Sequence, residues 1–254
     1  MVQTTSYAVL QKGSDRPTPA QLMRACRPFR HLTDADAARI AAGARGILWH
    51  RLRADEGRAL CRSLRSEGVD AALVPEHDLP PLPEALSLNR LQPWPQVLVI
   101  YDPLGRPVQV NWSDITLLAA GAAPPAPAGK TQTELMRRQR GGFQDQRPDR
   151  PDADPAPEPQ FLLEILLNHG TARLQVDASL FCFQPVIDRP GLGREEKFIW
   201  LVREISRAAP GALLNEGARQ LRDGGEKVPD YMNRQALLDE MTWLLWRRRC
   251  AESN

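Results

Sequence analysis

The four histidines are the first residues to consider for chemistry, because their side chains titrate near neutral pH and bind metals. They lie far apart in the sequence, at His31, His50, His77 and His169. No two of them have the spacing of metal ligands, and none stands beside a candidate nucleophile. His50 is expected to alternate with Trp49 across a strand, and His169 to lie in a turn. The histidines therefore predict no metal ligand and no catalytic base.

The four cysteines are also far apart and form no C-x-x-C pair; they are Cys26, Cys61, Cys182 and Cys250. This usage is typical of a reducing compartment, and it indicates neither a disulfide framework nor a metal site. Cys61 lies close to several arginines on a predicted helix, which could lower the pKa of its thiol. A buried structural thiol is the favoured interpretation, and a reactive cysteine is the alternative.

Two glycine-containing segments could bind an anion. Gly129-Lys-Thr131 looks like the end of a phosphate-binding loop, but such a loop needs a glycine where Pro124 stands, and a strand and a helix on its two sides. The match therefore fails. Gly191-Leu-Gly193 opens a predicted helix whose free amides could hold an anion. An ordinary helix start is the favoured interpretation of this short motif.

Glu164 and Asp177 are the remaining acid–base candidates, because they are expected on neighbouring strands. Nothing in their surroundings predicts a pair poised for catalysis. We therefore predict no catalytic residue, no cofactor or cofactor-binding residue, no metal ligand and no enzymatic activity. An enzyme whose active site is dispersed along the sequence is a less favoured alternative.

The bulk composition is that of an ordinary globular protein. The chain has 254 residues, enough for two domains, with 42% hydrophobic and 25% charged residues. The net charge of +2 predicts no strong attraction to nucleic acid. The N-terminus lacks the basic and apolar regions of a signal peptide, and no apolar run reaches the roughly 18 residues that span a bilayer. We expect a cytoplasmic protein without a transmembrane segment.

The elements that must position these side chains begin with three predicted strands. Ser6–Gln11, Ile47–Leu52 and Val69–Val74 are short apolar runs bounded by turn or helix signals. Three helices are predicted between them, so the order over residues 6–75 is β-α-α-β-α-β. This order predicts a compact sheet with helices on one face.

The starts and ends of these helices are well marked. Thr18-Pro-Ala-Gln21 combines a capping residue, a proline suited to the first turn and a glutamine that can close a capping box. Thr33-Asp-Ala-Asp36 repeats the start signal for a second helix, which ends at Gly43. The third helix spans about residues 54–67 and ends at Gly68, which suits the left-handed conformation after a helix.

A set of small, acidic and apolar positions in this module has the spacing of a known family: Ala44, Leu48, Asp55-Glu56, Ala59-Leu60, Leu64 and Gly68. On these positions, residues 6–75 resemble the C-terminal domain of the bacterial ribosomal stalk protein, whose fold is shared by the adaptor of the Clp protease. The corresponding domain would span residues 1–76. The resemblance implies this fold and a role in protein–protein contact rather than catalysis.

Other positions of the module depart from the family pattern. Arg51 and Arg53 stand where the family has a glycine and a small capping residue before the third helix. The lysine-rich face that engages translation factors is not evident in Arg39-Ile-Ala-Ala-Gly43. We therefore transfer the fold and no functional residue.

A second domain is predicted over residues 96–254, after a proline-rich linker at residues 77–95. It begins with strands at Val97–Tyr101 and Pro107–Asn111, joined by a tight turn and followed by a third strand. Residues 122–159 contain eight prolines and few large apolar side chains. Such a stretch cannot bury enough surface to offset the entropy of ordering, so it is predicted to be a disordered insertion.

The sheet is expected to resume after the insertion. Strands at Phe161–Leu167 and Ala172–Asp177 flank a hairpin signal at Asn168-His-Gly170, and a helix is predicted over Gly191–Ala209. Five or six antiparallel strands with a closing helix, over residues 96–209, resemble a pleckstrin-homology-type split barrel in their topology. That resemblance implies a second contact surface.

The predicted C-terminal helices fall within residues 193–249. Two of them, at Gly211–Arg222 and Asp230–Arg248, carry an apolar stripe. Trp243 and Trp246 widen the stripe of the last helix. Packing against the rest of the domain is the favoured interpretation of these tryptophans, and contact with a partner or a membrane surface is the alternative.

Together these patterns predict an α+β protein: a β-α-α-β-α-β module, then an antiparallel split-barrel-like domain with C-terminal helices. We expect a non-enzymatic bacterial protein that works as a protein–protein interaction or regulatory adaptor module. The expected partner is another protein. The alternative is a ribosome- or RNA-associated factor, which would need its arginines to cluster on one surface.

Overall fold

A computed structural model describes residues 5–13, 15–29, 38, 40–41, 43, 45–102, 104–125, 158–184 and 191–252. Helices and strands are mixed along the chain, and most strand pairs are antiparallel. The predicted α+β class is therefore confirmed.

The first sheet lies near the N-terminus. It consists of β1 (Tyr7–Gln11), β2 (Ile47–Leu52) and β3 (Ala71–Pro75), in the order β2-β1-β3 with both pairs antiparallel. The helices α1 (Pro19–Cys26) and α2 (Ala54–Ser66) cover one face of this sheet. A helical backbone is also present at residues 38, 40, 41 and 43, while the predicted start at residues 33–36 lies outside the described residues.

The start of α1 follows directly from its sequence. Thr18 Oγ1 accepts the backbone N–H of Gln21 at 3.3 Å, and the Gln21 side chain accepts the Thr18 N–H at 2.9 Å. This capping box satisfies two of the amide donors that a helix start leaves free. In α2 the equivalent bond runs from the N–H of Arg53 to Glu56, at 3.3 Å.

The second sheet is larger and forms the centre of the molecule. Its strands are β4 (Ala85–Ser87), β8 (Ile115–Ala123), β9 (Gln160–Leu167), β10 (Ala172–Asp177) and β11 (Leu213–Leu214), in the order β11-β8-β9-β10-β4. The three central strands are antiparallel, and both outer strands pair in parallel. The helices α3 (Arg194–Ala208) and α4 (Glu216–Arg222) cover one of its faces.

The third sheet is a small antiparallel meander of β5 (Leu91–Pro93), β6 (Val97–Tyr101) and β7 (Pro107–Asn111). Its inward side chains, among them Leu98 and Val110, pack into the same core as α3 and β8. None of the three described sheets closes into a barrel. The predicted split-barrel arrangement is therefore not confirmed.

The last helix, α5 (Arg234–Glu252), lies between the first and second sheets. Leu10 and Ile47 of the first sheet share one core with Leu117 and Leu166 of the second, and α5 contributes side chains to that core. Those side chains are Leu237, Met241, Trp243, Leu244 and Leu245. The described chain is thus layered as helices, sheet, helix, sheet and helices.

Residues 77–95 were predicted to be a linker without strands, and this was wrong. They contain β4, which pairs in parallel with β10, and β5, which pairs with β6. Most of the prolines stand in the turns around these strands. Pro93 occupies the last position of an edge strand, where a missing N–H removes no bond from the sheet. The division of the chain into two domains stays a prediction.

The helix predicted at residues 211–222 was wrong in its first part. Leu213 and Leu214 form β11 and pair with Leu117 and Leu118 of β8, and the helix begins only after Asn215. A short apolar run has no periodicity that distinguishes a strand from a helix, and this is why the prediction was wrong there.

The insertion predicted at residues 122–159 starts too early, because Ala122 and Ala123 still belong to β8. Residues 126–157, which include Gly129-Lys-Thr131, lie outside the described residues.

Candidate interaction surface

The structure places the candidate thiol in the interior. Cys61 is 5% exposed on α2, and burial raises the pKa of its thiol even though Arg65 and Lys12 act in the opposite direction. The interpretation as a buried structural thiol is confirmed. Among the residues that the structure describes, no group of three histidine, cysteine, aspartate or glutamate side chains could hold a metal ion.

The two acid–base candidates are not brought together. Glu164 is fully buried, accepts a hydrogen bond of 2.9 Å from Gln175, and lies within 3.7 Å of Arg173 and 3.6 Å of Arg234. Burial raises the pKa of this carboxyl group, and the two guanidinium groups only partly offset that effect. Asp177 instead accepts hydrogen bonds from the backbone N–H and the hydroxyl of Ser179 at the following turn.

The glycine pair at residues 191–193 is an ordinary helix start. Gly193 is the capping residue of α3, and its N–H donates to Glu196 Oε2 at 2.6 Å. The first turn therefore carries its own carboxylate at the positive end of the helix dipole. The backbone N–H of Gly193 is therefore bonded within its own chain rather than to an external anion.

The two tryptophans for which a partner contact is the alternative to packing belong to the core around α5. Trp243 is 6% exposed, and its indole N–H donates to the carbonyl oxygen of Gln11 at 2.6 Å. Trp246 is half-buried and packs against the same core. The Trp243 ring is thus occupied by a contact within the chain, and a partner role for Trp246 stays a prediction.

A buried polar cluster holds α5 to the elements around it. The side-chain amide of Asn215 donates to Tyr231 Oη at 2.7 Å, and the Tyr231 hydroxyl donates to Glu240. Arg45 stacks on the Tyr231 ring at 4.1 Å and lies 3.2 Å from Glu216. Burial raises the pKa of Tyr231 well above its usual range, and the nearby Glu240 charge adds to the effect. The phenol therefore stays neutral and acts as a hydrogen-bonding group.

His50 lies at the edge of a groove between the first sheet and α5. Its Nδ1 is 3.2 Å from Glu76 Oε1, and its Nε2 is 3.4 Å from Asp239 Oδ2. The hydrogen bond with Asp239 is the largest contribution raising the pKa of His50, and partial burial opposes it. The groove has a volume of about 560 Å³. Its lining mixes leucines and prolines with polar side chains such as Gln235 and Thr242. The contacts of His50 itself are with the two carboxylates, so this histidine bridges Glu76 and Asp239.

The meander β5–β6–β7 carries half of the large apolar side chains that the described residues leave exposed. Among the described residues, six large apolar side chains are exposed, and three of them belong to the meander and its turns. They are Trp94 at 55%, Leu104 at 77% and Val108 at 45%. Trp94 lies in the turn at one end of the meander, Leu104 lies in the turn at the other end, and Val108 lies on the outer strand. Large apolar side chains left exposed favour an interaction surface. The meander is therefore the strongest candidate for a binding site.

Hydrogen bonds fix the geometry of this surface. The Trp112 indole N–H donates to the Trp94 carbonyl at 3.1 Å, which holds the first turn of the meander against the end of β7. In the second turn, Asp102 Oδ1 accepts the N–H groups of Leu104 and Arg106 at 2.9 and 2.8 Å. The Arg106 backbone and then its side chain lower the pKa of Asp102 through these bonds. The exposed apolar side chains are thus carried on well-braced turns.

Sequence reasoning missed the meander as a site because it assigned Trp94 to a linker. Pro95-Gln96 between two apolar runs is a hairpin turn, and the hydrogen bond from Trp94 N–H to Val97 C=O, at 2.9 Å, closes it. Apolar residues on both sides of Pro95 could have predicted a hairpin. The high proline content of residues 77–95 obscured that signal.

No family model, curated protein or solved structure matches this chain. The resemblances to the stalk-protein domain and to the split barrel therefore stay predictions. Within the described parts of the chain, no helix is both long enough and apolar enough to cross a membrane.

Proposed function

We propose that the protein is a protein–protein interaction or regulatory adaptor module whose contact surface is the meander β5–β6–β7. The observation that carries this proposal is the exposure of Trp94 and Leu104 in the two turns of the meander and of Val108 on its outer strand. Tryptophan is enriched among the residues that dominate binding energy at interfaces, because its large ring buries much surface at a small entropic cost. Trp94 is the proposed anchor.

The rest of the described chain supports this assignment as a scaffold. The first sheet, with the element order that resembles the stalk-protein domain, has helices on one face and α5 on the other. A sheet covered on both faces offers no open apolar surface to a partner, so we assign the contact to the meander instead. Its inward side chains anchor it to the core of the second sheet.

The alternative of an RNA-associated factor is less well supported. Several arginines that such a surface would need are engaged with carboxylates, as in the pair of Arg24 and Glu67 at 2.5 Å and the pair of Arg106 and Asp102 at 2.7 Å. Neutralised guanidinium groups contribute little to the release of counterions that drives binding to phosphates. The proposal is accordingly a protein partner and no catalysis.

Affinity capture with the full-length chain tests the proposal. The baits are the unmodified protein, Trp94→Ala, and Leu180→Ala as a matched control, because Leu180 is 72% exposed outside the meander. We expect a specific protein to be captured by the unmodified protein and by the control. Its recovery should fall about tenfold or more with Trp94→Ala, as for a truncated interface anchor.

Two results would overturn the proposal. Capture of the same proteins at the same level by all three baits would remove the meander from the interface. Loss of every captured protein after ribonuclease treatment would favour the RNA-associated alternative.

A further inference from the structure

A second feature of the groove beside His50 is an arginine on the central sheet. Arg173 of β10 is among the side chains that line this groove, whose volume of about 560 Å³ lies in the range of small-molecule sites. Its neighbour Leu174 packs into the core that contains α3, and successive side chains of a strand point to opposite faces. Arg173 therefore lies on the face of the sheet towards α5, which is the side of the groove.

The Arg173 side chain is largely buried and lacks an acceptor for one of its donors. It is 10% exposed, and within the described residues its Nε atom is buried with no hydrogen-bond partner. Burying a charged donor without an acceptor is costly, and native structures rarely leave one unused. The unused donor therefore points to an acceptor that a ligand in the groove supplies.

The neighbouring carboxyl group does not take that place, because two guanidinium groups share it. Arg173 Nε is 3.7 Å from Glu164 Oε2, and Arg234 Nη2 is 3.6 Å from Glu164 Oε1. Both distances exceed those of hydrogen bonds, whereas Gln175 donates to the same carboxyl at 2.9 Å. One carboxyl group carries at most one negative charge, so these two arginines keep an excess of positive charge beside the groove.

The rest of the lining limits the kind of ligand that fits. Two carboxylates of the groove, Glu76 and Asp239, are held by His50 and would repel a second negative charge on a ligand. The remaining walls are mainly apolar, and their apolar residues are Ile47, Leu79, Pro80, Pro81, Leu82 and Leu238. One buried cationic group and apolar walls favour a ligand with a single anionic group on an apolar body.

We infer that the groove binds a small monocarboxylic acid with an apolar body, whose carboxylate accepts hydrogen bonds from Arg173. A planar guanidinium group presents parallel N–H groups that match the two oxygens of a carboxylate. The apolar body of the ligand then lies along the leucines and prolines. None of the lining residues belongs to the meander, so the site goes beyond the proposed function and its test is independent of the meander.

Binding of hexanoate, octanoate and decanoate to the full-length chain tests the inference. Isothermal titration calorimetry at neutral pH measures the affinity and the stoichiometry. We expect one site per chain, with an affinity that rises about fourfold for each added methylene group that becomes buried. The alcohol 1-octanol has an apolar chain and no carboxylate, and it should bind at least about tenfold more weakly than octanoate.

Two variants separate the groove from the charge cluster around Glu164. Arg173→Met and Arg234→Gln each remove one guanidinium group near this carboxyl, but only Arg173 lines the groove. Arg173→Met should weaken the binding of octanoate about tenfold or more. Arg234→Gln is the matched control and should change it by less than about twofold, because the Arg234 side chain is 47% exposed and its charge is screened by solvent.

Arg173→Lys is a second variant, which keeps the buried positive charge and loses the planar fork. It should bind octanoate more weakly than the unmodified protein and more tightly than Arg173→Met. Cooperative thermal unfolding verifies that each variant is folded, and Arg173→Lys supplies the comparison if Arg173→Met does not fold. The ring-proton resonances of His50, which lines the groove, should shift with the same dissociation constant that calorimetry gives.

The inference is overturned if none of the three acids binds at concentrations up to about 10 mM, which is weaker than small-molecule sites normally require. It is also overturned if 1-octanol binds as tightly as octanoate, or if Arg173→Lys and Arg234→Gln both bind as the unmodified protein does. Binding that leaves the His50 resonances unmoved would place the acid elsewhere on the chain and would overturn it as well.

Discussion

The indole N–H of Trp243 donates a hydrogen bond of 2.6 Å to the backbone carbonyl of Gln11, and this bond joins the last helix of the chain to its first strand. Both residues are buried, and the contact lies 232 positions apart in sequence. The bond fixes α5 to the first sheet, and the apolar side chains of α5 share one core with the first and second sheets. The N-terminal module is therefore part of the scaffold that carries the meander.

Trp243→Phe should lower the free energy of unfolding by about 2 kcal/mol, because it removes the donor of this bond and leaves a small cavity. Urea denaturation at fixed pH measures the change. Trp246→Phe is the control on the same helix, and its effect should stay under about 1 kcal/mol because the side chain is only partly buried. Equal losses for both variants would contradict a specific role for the Trp243 bond.

Asn215→Ala should be among the most damaging polar substitutions. The Asn215 side chain is fully buried and bonds to both backbone groups of Ala120, to the Ala218 N–H and to Tyr231 Oη. Its loss removes a helix cap and leaves several buried groups unpaired, at a cost of about 3–5 kcal/mol.

Asn233→Ala is the matched control for that substitution. Asn233 accepts the Ala236 N–H at 2.9 Å and caps the start of α5, but it is exposed. Its loss should cost about 1 kcal/mol. If thermal unfolding ranks the two variants equally, the buried cluster is not what makes Asn215 important.

Gly46→Ala should be far more harmful than Gly105→Ala. Both glycines have a positive φ, +90° and +77°, which strains any side chain. A Cβ on Gly46 would also lie 2.1 Å from the Trp243 ring, whereas nothing lies within 4 Å of one on Gly105. We expect about 1–2 kcal/mol for Gly105→Ala and at least about twice that for Gly46→Ala. Equal unfolding midpoints would contradict the tight contact with Trp243.

The bridge at His50 should make stability depend on pH. The pKa of His50 is raised in the folded chain, so its stabilisation is fully present below about pH 6.5, the ordinary value, and is lost as pH rises through the folded value above it. The charged groups that face it are Glu76 and Asp239. Because the imidazole is partly exposed, we expect an effect of less than about 1 kcal/mol.

His50→Gln tests this prediction against His77→Gln. The difference in urea midpoint between the unmodified protein and His50→Gln should shrink as the pH is raised from about 6 to about 8.5. His77→Gln, which removes an imidazole but leaves both contacts of His50 in place, is the control. A difference that stays constant over this range would show that the carboxylate bridge does not titrate there.

Local signals in the sequence predicted much of the fold. The capping box of Thr18 and Gln21, the alternation of Trp49 with His50 and the hairpin at residues 168–170 depend on neighbouring residues alone, and the structure has all of them. The position of α5 between two sheets could not be predicted this way. It depends on contacts such as Trp243 with Gln11, which no local period encodes.

The candidate site was harder to predict than the fold for a related reason. The exposure of Trp94 depends on whether another element of the fold packs over its side chain. Tertiary packing of this kind cannot be predicted from a single sequence. Trp243 and Trp246 widen an apolar stripe, for which packing is the favoured interpretation from sequence and contact with a partner or a membrane surface is the alternative. The stripe is wide because the helix packs on two sides.

Site-specific photocrosslinking from position 94 tests the central claim most directly. A photoreactive phenylalanine analogue replaces Trp94 in one protein and Leu180 in another, and both are irradiated in an extract of the source cells. If the meander is the contact surface, position 94 should form a covalent adduct with another protein chain, either a second copy or a different protein, and position 180 should not. Adducts at equal yield from both positions, or from position 180 alone, would contradict the assignment of the meander as the interaction surface.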